Sequence, residues 1–231
     1  MPPPTHNHLL QCLPRADADR LLATAERIEL TLAEVLWTVG EPTPHVWFPE
    51  EGFVSLVAPL DARPALEVGM VGREGMLGVH LALGVAAAPL KALVQGGGSA
   101  WRIGQAAFGG ELARSASLRQ LLGRYVYVLM AQLASTAACQ RFHAIEPRLA
   151  RWLLMTQDRA KAPRFRVTHE FLALLLGVRR VGVTTAAAAL QRRGLIEYHR
   201  GDVRVLDRSS LEAASCTCYA AERAIYSRIL G

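Results

Sequence analysis

Hydrophobic and polar positions change rhythm twice along this chain of 231 residues. After a short stretch of helical spacing at residues 16–25, "ADADRLLATA", the pattern between residues 28 and 103 breaks into short β-prone pieces: "EVLWTVGEP", "HVWFPEEGFVSLVAPL", "ALEVGMVGREGM" and "LKALVQGGGSAWRI". Gly and Pro turn signals at 40–42, 49–52, 61–64, 72–75 and 96–98 recur every 10 to 20 residues, which predicts an antiparallel sandwich or barrel. Residues 117–142 then form one long helical pattern, apolar nearly all round and free of proline. One stripe on it, Leu118, Leu122, Tyr125, Leu129, Gln132, Thr136 and Cys139, alternates steps of four and three, the spacing of a two-stranded coiled-coil seam. A second stripe runs Val126, Met130, Leu133 and Ala137. A helix with two apolar faces needs two neighbours, so one face is assigned to the β-rich half and the other to the same helix of a second copy. A single helix buried inside a monomer satisfies the periodicity equally well.

Helical spacing resumes after "HAIEP", with Pro147 expected at the first helical position and Leu149, Trp152 and Leu153 on an apolar face. A basic linker, "DRAKAPRFR", leads to "THEFLALLLGVRRVGVTTAAAALQRRGLI" at residues 168–196. Thr168 can cap a first helix that carries Phe171, Leu172, Leu175 and Leu176 inward, and Gly177 ends it. A second helix follows with Val183, Ala187 and Leu190 on one face, the spacing of a helix-turn-helix whose second helix enters the major groove by its N-terminal end. Arg179, Arg180, Val181, Thr184 and Thr185 occupy that end; Arg suits guanine O6 and N7, and the Val and Thr methyls suit thymine. "GLIEYHRGDVRVLD" then alternates about a His-Arg-Gly-Asp turn, which predicts a hairpin placed as the wing of a winged helix. An ordinary helical hairpin is the competing reading, and Gly182 with four neighbouring β-branched residues makes the second helix dependent on packing.

Charge shifts the balance toward DNA. Residues 1–140 carry 10 Lys+Arg against 12 Asp+Glu, whereas residues 141–231 carry 16 against 8, so a net of −2 faces one of +8. Clustered arginine attracts phosphate and releases its counterions. His169, Arg192, Arg193 and Arg200 are candidates for phosphate contact, which fixes register without reading sequence. The four cysteines show no CxxC pairing, so no metal site is expected, and Cys216-Thr217-Cys218 on a C-terminal helix is read as incidental rather than as a redox pair or ligand set. No basic start with an apolar core opens the chain, which implies a cytoplasmic protein. The longest uncharged helical run, sixteen residues between Arg124 and Arg141, is short of the roughly 20 needed to span a bilayer.

In this order, a β-rich half, a long apolar helix, a short helix and a winged helix-turn-helix, the chain resembles the CRP/FNR superfamily of bacterial transcription regulators. The motif at 168–196 is similar to the family's DNA-binding signature without a gap, and "EVLWTVGEPTPHVWFPEEGFVSLV" is similar to its early barrel strands. The resemblance implies an α+β fold: an antiparallel β jelly-roll sensor domain (1–116), a central dimerisation helix (117–142) and a winged helix-turn-helix (143–231). It further implies an inverted-repeat operator read by a homodimer. Where the family reads bases with Arg, Glu and Arg, this chain has Arg180, Val181 and Thr185, so only the first carries over. The family's cyclic-nucleotide cassette also departs: Gly78 is followed by Val79, and Leu90-Lys91-Ala92 stands where an Arg triplet would bind phosphate. An effector other than a cyclic nucleotide is therefore expected, in a pocket containing Val79, His80, Leu90, Lys91, Tyr125 and Gln132. An iron-sulfur centre lacks its cysteines, and His80 with Pro2 is too little for the family's haem sensor, so no cofactor is identified. The expected partners are double-stranded DNA, a second copy of the chain and RNA polymerase, with no membrane and no catalysis. The alternative is a small-molecule or metal-binding β-barrel whose winged domain mediates protein contacts.

Overall fold

Short alternating runs with glycine turns cannot pair locally for long, and they pair here across the chain. The computed structural model describes residues 5–60 and 63–231. Pro2, and Asp61 and Ala62 of the turn expected at 61–64, lie outside the described residues. Two short helices, α1 (His8–Gln11) and α2 (Arg15–Leu22), precede β1 (Ala25–Leu30), β2 (Val35–Trp37), β3 (His45–Pro49), β4 (Phe53–Leu60) and β5 (Arg63–Val71). After a 3-10 turn at Val79–Leu83 come β6 (Lys91–Gly96), β7 (Gly98–Gly104) and α3 (Gln105–Arg114). The strands form two antiparallel sheets of order β1-β7-β3 and β2-β6-β4-β5. Leu30, Trp47 and Ala100 from the first sheet and Trp37, Val54, Val71, Ala92 and Val94 from the second share one buried cluster, so the sheets face each other over a common core. This is the jelly-roll arrangement expected of an α+β regulator fold. The helix α3 is an element the β-prone reading missed; it turns Phe108 inward and brings Glu111 within 3.3 Å of Arg20.

The long helix α4 (Ala116–Phe142) has nearly the bounds that the periodicity predicts. Its faces differ from the expectation. On the seam-spaced stripe, Leu118, Leu122, Tyr125 and Cys139 are buried within the chain itself, and Leu129, Gln132 and Thr136 are half-buried. The exposed stripe is instead Gly123, Tyr127, Met130, Ala134, Ala137 and Arg141, again in steps of four and three. Tyr127 is 52% and Met130 64% exposed. Both stripes have the same period, so spacing alone does not tell which one faces inward.

A helix α5 (Ile145–Ala160) follows, then β8 (Arg164–Arg166), α6 (His169–Leu176), α7 (Arg180–Arg192), the hairpin β9 (Ile196–His199) and β10 (Asp202–Val205), α8 (Arg208–Ala214) and α9 (Cys218–Leu230). Pro147 is the third residue of α5 rather than the first. Its missing N–H still falls among the first four donors, which have no partner in the helix, so the shift costs nothing in hydrogen bonds. The stretch expected as a linker contributes β8, which pairs with β10 opposite β9 in a three-stranded sheet. The chain divides into two compact units, one of residues 1–57, 69–130 and 226–231, the other of 58–68 and 131–225.

Gly177 caps α6 in the left-handed region at φ 63°, and a Cβ there would lie 2.7 Å from Leu66 Cδ1. Gly177→Ala should therefore lower unfolding free energy by about 1–2 kcal/mol, read as a lower urea midpoint at unchanged slope.

Candidate nucleic-acid interface

Each part of the helix-turn-helix is fixed by a nameable contact. Thr168 caps α6 by accepting the Phe171 N–H at 3.2 Å. At the other end of α6 the buried Arg148 guanidinium donates to the Leu176 carbonyl, placing a cation on the negative end of the helix dipole. The chain then turns by 109° between α6 and α7, within the range of helix-turn-helix motifs. Arg179 is the N-cap of α7 and makes no side-chain cap bond, as its residue type predicts. What holds the helix is its inner face: Val183, Ala186, Ala187 and Leu190 are buried. Gly182 meets α5 so closely that a Cβ would fall 2.6 Å from Ile145 Cδ1.

The outer face carries the residues expected to read DNA. Arg179, Arg180, Val181, Thr184 and Thr185 are all exposed, Val181 by 69%. Thr184 and Thr185 donate their hydroxyls back to the Arg180 and Val181 carbonyls, at 3.1 and 3.0 Å. Their oxygens keep acceptor capacity, and the bonds fix both side chains before any ligand arrives.

The phosphate candidates are less alike. Arg192 is exposed at the end of α7, while Arg193 donates to Glu146 at 2.8 Å. Arg200 is exposed at the tip of the β9–β10 hairpin, with φ 48° beside Gly201 at φ 89°. Two successive positive φ values suit the twist of a tight two-residue hairpin. His169 is half-buried: Nδ1 lies 3.0 Å from Thr184 Oγ1, and the ring stacks on Tyr198 at 4.3 Å. Tyr198 donates its hydroxyl to the Val167 carbonyl at 2.5 Å and its N–H to Gln191 at 2.9 Å. His169 and Tyr198 thus tie the start of α6 and the recognition helix to the wing. Three cations were missed at the sequence level. Arg164 and Arg166 on β8 and Arg204 on β10 are exposed, with Arg164 opposite Arg204 and Arg166 opposite Asp202. The alternation "RFRV" was the available signal.

The expected effector residues, Gln132 excepted, belong to the first compact unit. His80 is buried, hydrogen-bonded at 3.0 Å to Thr43, and burial holds its imidazole below the ordinary value. Tyr125 donates to the Met76 carbonyl at 3.1 Å. The Leu90 carbonyl accepts the Trp37 indole N–H at 2.8 Å, and Trp37 lies 5.1 Å from Trp47 in the sheet core. Val79, Leu90 and Lys91 are half-buried, and Gln132 belongs to the other compact unit.

Residues 147–214 match the family model of the Crp-like helix-turn-helix domain. No curated protein matches the chain in sequence. Among solved structures, the chain is similar to the c-di-GMP-responsive global regulator CLP of Xanthomonas campestris, at 18% identity over 84% of this chain and 100% of that one, with a TM-score of 0.68. It is similar to FixK2 of Bradyrhizobium japonicum at 15% identity over 84% and 98% of the two chains, with a TM-score of 0.64. A CRP-family transcriptional regulator of Thermus thermophilus shares 22% identity over 81% and 96%, with a TM-score of 0.67. The fold is that of CRP/FNR-type transcription regulators, as the residues at 168–196 implied, and it ends in a Crp-like helix-turn-helix. No single helix among the described residues is long and apolar enough to cross a membrane.

Burial first, and then the charge of Arg180, holds the His169 imidazole below its ordinary 6.5. Unfolded chain takes up a proton there below about pH 6.5 while folded chain resists it, so this contribution to stability is intact above that pH and is lost on acidification through the folded value. His169→Gln should show a smaller drop in urea midpoint than wild type between about pH 7.5 and about pH 5.5.

Proposed function

We propose that this chain is a homodimeric, sequence-specific DNA-binding transcription regulator, with α7 as the recognition helix. The observation that carries the reading is the exposed N-terminal end of α7. Arg180, Val181, Thr184 and Thr185 stand clear of the domain, fixed from behind by α5 and flanked by a basic wing. Arg180 supplies a bidentate fork for guanine, and Val181 and Thr185 supply methyls for thymine. Arg192 and Arg200 bind phosphate, joined by Arg164, Arg166 and Arg204 from the wing sheet. Arg193 reaches phosphate only by leaving Glu146, so its contribution is smaller. His169 sets the position of Thr184 before it touches DNA.

Dimerisation uses the exposed stripe of α4. Tyr127 and Met130 supply apolar area, and Gly123, Ala134 and Ala137 let two helices approach closely. Two such chains present their α7 helices about one DNA turn apart on an inverted repeat. The sensor domain responds to something other than a cyclic nucleotide: no arginine stands at 90–92, and the Leu90 carbonyl is already bonded to Trp37. Regulation, not catalysis, is the activity.

Selection of bound sequences from a random duplex pool, followed by fluorescence anisotropy, tests the reading. Arg180→Ala should weaken the selected site by about 1–3 kcal/mol and relax preference at one base pair in each half-site. Arg200→Ala should weaken all duplexes alike and reduce the salt slope by about 1. Absence of duplex binding by wild type at low salt, with or without candidate effectors, sinks the reading.

Met130→Asp tests the dimer separately. Light scattering should show wild type at twice the chain mass, and the variant should dissociate at least ~30-fold more readily, a loss of about 2 kcal/mol.

A further inference from the structure

Two pairs of side chains that the sequence keeps far apart meet at one point of the second compact unit. Cys139 and His143 are four residues apart where α4 ends, and the His143 N–H still bonds the Cys139 carbonyl at 3.1 Å, so both side chains leave the same face. Cys216 and Cys218 flank Thr217 in the turn between α8 and α9; Cys216 precedes α9, and Cys218 is its first residue. One ligand atom from each of the four lies within 4.8 Å of every other. Cys139 Sγ is 3.4 Å from Cys216 Sγ, and Cys218 Sγ is 3.6 Å from His143 Nδ1. Cys139 and Cys216 are buried, whereas His143 and Cys218 are half-buried.

Two thiols 3.4 Å apart are not a disulfide, whose bond is about 2.05 Å. The spacing fits something else. A tetrahedral ion with Zn–S of about 2.3 Å and Zn–N of about 2.0–2.1 Å sets neighbouring ligand atoms about 3.6–3.8 Å apart. Three sulfurs and an imidazole nitrogen are a complete Cys3His set of the kind that structural zinc sites use. Electrostatics agree. Three thiolates around a divalent cation leave one negative charge, and the buried Arg151 guanidinium acts on Cys139, Cys216 and Cys218 together. Arg151 is itself held by Glu222 and by Thr136.

We propose that Cys139, His143, Cys216 and Cys218 form a Cys3His site for a single thiophilic divalent cation of the zinc class. The four ligands bracket the Crp-like domain, two before residue 147 and two after residue 214. A bound ion therefore clasps the end of the dimerisation helix to the far end of the winged domain, joining Cys139 to Cys216, 77 positions further along the chain. Given the DNA-binding reading above, on which this last step rests, metal occupancy sets how firmly α7 is presented and so tunes affinity for the operator.

The test uses full-length protein, reduced and stripped of metal, titrated with Co2+ and then Zn2+. One Co2+ per chain is expected, with thiolate-to-metal charge-transfer absorption and the d–d bands of a tetrahedral ion, displaced by Zn2+. His143→Ala and Cys218→Ser change half-buried positions, and circular dichroism checks that they fold. Each should lose the bands and bind more weakly by over the ~10–100-fold that an outer-shell change costs. Cys12→Ser, outside the cluster, should bind as wild type does. Zinc-loaded wild type should bind its selected duplex ~5- to 150-fold more tightly than stripped protein, the usual range of coupling between two sites. No uptake at micromolar metal, or bands that survive both variants, overturns the site. So does a Cys139–Cys216 disulfide in purified protein that takes up no metal once reduced. Metal uptake with unchanged duplex affinity overturns the coupling. If neither form binds DNA, the functional reading fails while the cobalt spectrum still decides the site.

Discussion

The recognition helix cannot hold itself, and the arrangement of the DNA-binding unit follows from that. Residues 181–185 are Val, Gly, Val, Thr and Thr, which together cost about 3 kcal/mol of helix propensity relative to alanine, and Arg179 gives no side-chain cap. Burial of Val183 and Leu190 returns about 1.5–3 kcal/mol each, so the inner face is enough to offset the outer one. That offset works only if α5 lies very close, which is what Gly182 against Ile145 permits. The glycine that looks like a defect by propensity is therefore the contact point. Arg148, from the same α5, fixes the α6 end of the turn, so one helix positions both halves of the motif.

A different solution governs the sheet domain. Trp37 and Trp47 belong to its buried cluster, with the indole N–H of Trp37 bonded to the backbone at Leu90. Indole rings bury large area and demand one polar partner each, and Leu90 supplies it for Trp37. The Leu90 carbonyl that accepts this bond lies in the arginine-free segment 90–92, and the proposed effector chemistry, unlike that of a cyclic phosphate, rests on both.

Much of this was legible because it is periodic or local. The span of α4, the caps at Thr168 and Gly177, and the β9–β10 hairpin at His-Arg-Gly-Asp each follow from residues within one or two turns. The misses share a cause. Short β8 depends on pairing with β10, and α3 lacks a side-chain cap to announce it. The exposed stripe of α4 was not singled out because stripes with one period are distinguishable only by what each packs on. The meeting of Cys139 and His143 with Cys216 and Cys218 was invisible for a stronger reason: ligands contributed by helix ends 77 residues apart leave no spacing motif. Cysteine spacing detects sites built within one loop and is silent about sites built by tertiary packing.

The helix α4 is divided between the two compact units, at Met130 and Ala131, as α9 is at Ile225 and Tyr226. Any ligand that acts on the sheet domain and is felt at α7 must bias two arrangements of some shared element, because a ligand shifts an equilibrium only through differential contacts. The division falls beside Met130, on the exposed stripe assigned to the dimer, and N-terminal to Cys139 and His143, so three constraints act on the same few turns. Toward the C-terminal end the stripe carries only Ala134 and Ala137 before Arg141. Small residues allow several close registers at nearly equal energy, whereas Tyr127 and Met130 fill space and prefer one. In the proposed dimer, the N-terminal half of the seam would then fix the pairing, and the C-terminal half, next to the cysteine cluster, would be free to move. That is the half from which α5, and through Ile145 the recognition helix, takes its position.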